Sequence, residues 1–402
     1  MTDAKQFFRI LALSNFLLYF GFEIWQDTFN NFAVELLGVS ASQIGLLQSL
    51  REIPGLMGFA MAFLVLWLSE MRVMGLSILL LGVGLVVAGQ AHGLGVLIAG
   101  TMVASTGFHF FYPSNASLVL MGTDQQEGPK MLGRLRGVSA SAAVLATLAV
   151  YVLVKGLQVG PVNVPALGYR GLLGVTGVLV IAGSFLALRN GRRHRVQQQK
   201  RKIVLRREYW LYYLLTFLMG CRRHIFTTFA IFLLVQVHHI DVRVTATLFL
   251  VNNLVNTYTG AQFGRLVARF GERKVLTWNF IGLILVFLGY AFIPFLPALY
   301  VLFVLDNVFF GFSLAVDSYF QKIARAPDEI TGSVSIAQTI NHIAALVVPI
   351  LGGILWEKVA PAATFLAGVA VVVVALAVVQ LIRTEPLPAV ARAAGEEFPA
   401  VE

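Results

Sequence analysis

Five polar side chains, Tyr19, Glu23, Gln26, Asp27 and Asn30, interrupt an otherwise apolar stretch near the amino end. On a helix of about 3.6 residues per turn they fall within about 100° of one another. Hydrocarbon cannot solvate such a stripe, so it must face protein or water. A carboxyl in a low-dielectric setting favours its neutral form, which lets it take up and release a proton near neutrality. Glu23 and Asp27 are therefore expected to form a proton-carrying pair with Arg51 as ionic partner. A permanent ion pair with Arg51 is the structural alternative.

A second cluster, "CRRHIFTTF" at 221–229, sets two arginines and a histidine inside another apolar run. Each charge at mid-membrane costs at least about 2.5 kcal/mol. Thr216, Gly220, Arg223 and Thr227 share one stripe, so Arg223 is expected to face a cavity, with His224 at its edge. Arg222 points elsewhere and is expected to brace a neighbouring helix. A guanidinium suits carboxylate or phosphate. Asn252 and Asn256, on one face of "VNNLVNTYTG", together with Asp306 and His342, complete the expected substrate-binding set. For the asparagines, interhelical hydrogen bonding is an equal alternative. For His342 and for His109, ordinary packing is the alternative.

Adjacent Arg51 and Glu52, in "QSLREIPG", differ by about 100° around a helix and need different partners. One should face the cavity, and the other bridge to the eleventh or first span. Asp317 is expected to anchor loop arginines at the inner end. Cys221, the single cysteine, reads as packing and excludes an internal disulfide.

These groups need elements that hold them inside a membrane. Of 402 residues, 58% are hydrophobic and 12% charged, against about 25% charged in soluble domains. Mean hydropathy is +0.79. The 37 glycines suit close helix packing in lipid. The start of the chain reads as a first span, not a cleaved leader. No P-loop, nucleophile elbow or tight metal-ligand spacing is present in the sequence, so ATP-driven pumping and enzyme chemistry find no support. No cofactor is expected.

A span needs about 20 apolar residues. Twelve such segments are predicted, at 9–36, 42–68, 73–91, 94–121, 134–157, 169–188, 209–237, 243–265, 275–293, 297–322, 333–356 and 360–382. With both ends inside, inner loops and tails hold 23 Lys and Arg, and outer loops hold four. That asymmetry predicts cytoplasmic termini. The segment 189–208 carries nine Lys or Arg and reads as a cytoplasmic linker rather than a nucleic-acid or lipid patch. The expected organisation is a six-helix bundle at 1–188, the linker at 189–208, a second bundle at 209–383 and a tail at 384–402. The halves repeat: "FNNFAVE" (29–35) aligns with "FTTFAIF" (226–232), and repeated halves are a transporter architecture.

The loop "GRLVARFGERK", at 264–274, resembles the Gly-x-x-x-Asp-Arg-x-Gly-Arg-Arg signature of the major facilitator superfamily through Gly264, Arg269, Gly271, Arg273 and Lys274. Ala268 replaces the signature Asp. The resemblance covers about residues 9–383. It implies an all-α membrane protein with twelve helices in two six-helix bundles, a central cavity open alternately to each side, and a gating role for the loop. Drug/proton antiporters of that family carry an Arg four residues before a Gly in span four, where this chain has Val103. They also carry Gly-Pro-x-x-Gly-Gly in span five, which is missing here; a partial form, "PILGG", stands at 349–353.

The expected function is secondary transport of a small organic solute, coupled to protons, in a bacterial inner membrane. The protein is expected to be a monomer in the lipid bilayer, without nucleic-acid partners. The mixed Arg/His/carboxylate set favours an anionic or zwitterionic solute. Efflux of drugs, amphiphiles or lipids, and a non-transporting receptor or assembly role, remain alternatives.

Overall fold

The computed structural model describes residues 2–57, 64, 67–123, 127–156, 165–190, 206–325 and 327–383. Most of the expected linker and all of the expected tail lie outside these residues. Every regular element among the described residues is helical.

Twelve helical segments follow in order. α1 runs Thr2–Asn31 and ends in a π turn, Phe32–Leu36. α2 spans Ala41–Arg51, with a continuation Ile53–Leu56. α3 is Glu70–Gly89, α4 Leu94–Gly122, α5 Glu127–Gly156 and α6 Pro165–Asn190. α7 comprises Trp210–Ile225, a π turn Phe226–Ala230 and Ile231–Gln236. α8 is Val242–Phe270 and α9 Glu272–Phe292. α10 joins Leu296–Phe310 to Leu314–Ile323 through one 3₁₀ turn. α11 is Pro327–Lys358 and α12 Pro361–Val379.

By length and composition, 10 helices among the described residues can cross a membrane. The other two predicted spans are α2, which runs into residues outside the description, and α8. At 29 residues α8 is long enough, but its asparagines, threonines and arginines lower its hydropathy.

Local chemistry sets several boundaries. Ser40 and Gln43 form a reciprocal capping box that starts α2. Asp241 caps α8 by accepting from the Arg243 N–H at 2.8 Å. Pro54 interrupts α2 because it has no N–H for the helix ladder. The Gly55 N–H bonds to the Glu52 carbonyl instead, and the Arg51 carbonyl is left to accept from the Ser105 hydroxyl of α4. The π turns in α1 and α7 fall within three residues of equivalent positions in the aligned repeat.

α3 packs against α4 and α6, and α1 against α5 and α6; α7 packs against α11 and α12, and α9 against α10 and α12. Between the two groups, α2 lies on α11, α5 on α8 and α1 on α8. In the first group backbones meet closely. A Cβ added to Gly82 of α3 would lie 2.7 Å from the Gly177 carbonyl oxygen of α6. Small residues at such crossings let van der Waals packing supply the association that water cannot drive in lipid.

Candidate functional site

The stripe on α1 divides between two neighbours. Glu23 is buried where α1 meets α8, and accepts from the Asn253 side-chain amide at 2.8 Å. Asp27, fully buried one turn further on, accepts from the Thr147 hydroxyl of α5 at 2.8 Å, and its Oδ1 has no protein partner. Tyr19 is half-buried beside Phe108, which stacks on Phe22 at 4.1 Å between ring centroids.

Arg51 does not reach Glu23 or Asp27. The carboxylate beside it is that of Glu52, 3.9 Å from its Nε. Glu52 in turn bonds the Nδ1 of His342 on α11 at 3.1 Å and lies 3.9 Å from the Nε2 of His109 on α4. Of the adjacent pair, Glu52 is thus the one that bridges to α11. Gly55 makes room, because a Cβ there would run into the His342 ring.

On α7 the two arginines part company. Arg222 is 1% exposed and forms an ion pair with the fully buried Asp306 of α10. That pairing removes Asp306 from the group expected around Arg223: α10 turns it toward Arg222 inside the second helix group. Arg223 is half-buried and lies over the Phe310 ring at 4.6 Å, with no ion pair to a carboxylate among the described residues. His224 is buried, with Nε2 unpartnered by protein. Asn252 is buried and Asn256 exposed, and the pairing from this helix to Glu23 of α1 is made by Asn253. Glu52, Asn253 and His109 were not in the expected site set. Their polarity was visible in the sequence, but partner helices that lie 57 or more residues away were not.

At the end remote from the termini the two groups close on each other. Asn31 donates to the Ile240 carbonyl at 2.8 Å and accepts from Thr245 at 2.9 Å, while also donating to Glu35 at 2.7 Å. Ser42 bonds Glu357 through both its N–H and its hydroxyl, at 2.9 and 2.7 Å. Gly45 of α2 abuts the Pro349 carbonyl, and Gly353 abuts Ala41, so two backbones touch without side chains between them. All these cross-group contacts lie at the far end or at mid-depth.

The α8–α9 loop turns on Gly271, whose φ of +80° lies where side chains are strained. Arg269 sits over the Phe270 ring at 5.1 Å, and Arg273 donates to Gln380, just past α12, at 3.2 Å. Gly264 faces Leu314 of α10, and Lys274 is exposed at the start of α9. The acidic anchor at this end is Glu272, bound to Lys322 and Ser318 of α10, each at 2.7 Å. Asp317, expected in that role, is exposed and makes no ion pair among the described residues. No group of three His, Cys, Asp or Glu side chains there is placed to hold a metal.

The Major Facilitator Superfamily model matches residues 11–335. The chain belongs to that superfamily. Its members are membrane transporters, and this chain is one of them rather than an enzyme. Solved superfamily structures share the fold at low identity. A mutant of the nucleoside transporter NupG superposes with a TM-score of 0.76 at 15% identity, over 93% of this chain and 99% of that one. A bacterial homologue of the human lysosomal transporter Spinster, inward-facing and occupied, gives 0.75 at 16%, over 93% and 95%. A bacterial homologue of the iron transporter ferroportin, inward-facing, gives 0.72 at 15%, over 93% and 98%. No curated protein matches.

Proposed function

We propose that this superfamily member is a proton-coupled secondary transporter of a small anionic or zwitterionic organic solute. Bundles 1–188 and 209–383 rock about the site, joined by the 189–208 linker. The observation that carries the substrate class is Arg223. Its neighbour Arg222 is ion-paired with Asp306, whereas Arg223 has an aromatic face and no ion pair among the described residues. A substrate carboxylate or phosphate would fill its planar fork of donors. His224, Asn252, Asn256 and His342 line the approach from α7, α8 and α11.

Glu23 and Asp27 are the proton carriers in this reading. Glu23 spans the bundle boundary, so its protonation state bears on whether α1 and α8 stay together. The lysine and arginine asymmetry supports cytoplasmic termini, and in this reading the membrane is a bacterial inner membrane. The closed end is then periplasmic, and the conformation is inward-facing. A thermal-shift screen of purified protein against metabolites and drugs is the test, since a ligand that binds only the fold raises its stability. Carboxylated or phosphorylated solutes are expected as hits. A panel of hits limited to cationic dyes would overturn the assignment and favour drug efflux.

A further inference from the structure

The expected proton carriers on α1 do not use the other ionisable cluster at mid-depth. Glu52 and His342 meet across the bundle boundary, on the same helix pair, α2 and α11, whose backbones approach two turns away at Gly45 and Pro349. The two imidazoles of His342 and His109 stand edge to face, 5.2 Å between centroids, with the Glu52 carboxylate near both. The site is built rather than incidental. The break at Pro54 sets Glu52 at the helix interruption, the Ser105 hydroxyl caps the freed Arg51 carbonyl, and Gly55 leaves space for the His342 ring.

We propose that Glu52, His342 and His109 form a second proton-binding site, in which one proton shared by the two histidines holds α2 against α11 and so favours the conformation closed at the far end. The inference rests on the proton-coupled reading above but uses different residues. A neutral imidazole already gives the Glu52 carboxylate a charge-assisted hydrogen bond through Nδ1–H. An imidazolium adds full Coulomb attraction to that bond. Opening the far end separates α11 from α2 and takes His342 away from Glu52, so that gain exists only in the closed form. Protonation and closure are therefore linked, and each favours the other.

The other charges facing Glu52 limit the site to one proton. Arg51 on α2 is 3.9 Å away, and Arg223 and His224 of α7 lie within electrostatic reach of the same carboxylate. A second imidazolium beside these cations would be repelled. The sign follows: acidification populates the closed far end, and raising the pH releases it.

The test measures that equilibrium without substrate. Spin labels at His92→Cys and Val359→Cys, in a Cys221→Ser background, lie on far-side loops of opposite bundles. Their distance distribution is read from pH 8.5 to pH 5.5. In the parent the short-distance population should rise at least about threefold on acidification. His342→Gln keeps an amide donor for Glu52 but cannot titrate, and should flatten the response. Glu52→Gln should flatten it too, and serves if His342→Gln is not monodisperse. Glu23→Gln, which alters the α1–α8 tie, should shift the starting population but keep a pH-dependent rise, because the histidine site still titrates. An unchanged response in His342→Gln or in Glu52→Gln overturns the proposal. A response lost in Glu23→Gln and kept in His342→Gln also overturns it, while leaving the α1 coupling intact. Failure of the α1 reading alone would show as normal gradient-driven transport in Glu23→Gln, with the histidine response untouched.

Discussion

Glu23 on α1 accepts a hydrogen bond from Asn253 on α8 at 2.8 Å, so a carboxyl suited to proton transfer is also a tie between the bundles. Gln at this position can still pair with an amide but carries no titratable proton. Glu23→Gln, and likewise Asp27→Asn, should abolish pH-gradient-driven accumulation in proteoliposomes. Solute exchange at equal pH should survive, because it moves no net proton. Full accumulation in both variants would make the pair structural.

The paired arginines of α7 should respond oppositely to substitution. Arg223→Lys keeps charge and loses the planar fork, and should weaken substrate binding by more than tenfold, about 1.4 kcal/mol. Arg222→Ala leaves Asp306 buried and unpaired, which should cost about 3–5 kcal/mol of stability. Titration calorimetry on folded protein reads the first effect, and thermal unfolding in detergent the second. Unaltered affinity in Arg223→Lys would remove Arg223 from the site.

Closure of the far end should depend on the missing side chains of α2 and α11. Gly45→Val puts atoms into the Pro349 carbonyl and forces the two backbones apart. A penalty of about 1.4 kcal/mol on the closed form raises the open fraction roughly tenfold. The readout is labelling of Ser49→Cys, on buried α2, by an impermeant maleimide in a Cys221→Ser background. Gly93→Val, where an added carbon meets nothing within 4 Å, is the control and should not change the rate. Equal rates in the two variants would show that this contact does not set the gate.

Orientation is testable in intact cells. A cysteine at Gln198, in the basic segment, should resist external labelling, and one at Val162 should react. The reverse pattern would invert the topology and make the closed end cytoplasmic.

The span pattern was legible because each span is a local property: an apolar run with Lys and Arg sorted by side. The structure breaks the third and fourth spans apart at 90–93, close to the expected boundary between 91 and 94. The faces of α7 were legible too, since 3.6-residue periodicity separates Arg222 from Arg223. Partners were harder. Nothing local to Asp306 tells which arginine it meets, because that depends on how α10 is rotated against α7. Pro54 was visible, yet how the break would aim Glu52 at α11 depends on a crossing between helices nearly 300 residues apart. Asn252 and Asn253 differ by one step in sequence, and only the seating of α8 on α1 decides that the second reaches Glu23.

The ion pair of Arg222 and Asp306 also constrains how the protein is made. The partners are 84 residues apart, so at roughly 5–20 residues per second α7 leaves the ribosome about 4–17 s before α10 exists. During that interval α7 carries an unneutralised arginine that lipid rejects. Its final seating must wait at a water-accessible surface for the later helix, which makes assembly of the second bundle post-insertional. A nascent chain stalled before residue 306 should expose α7 to membrane quality-control proteases, whereas one stalled just after α10 has emerged should be spared.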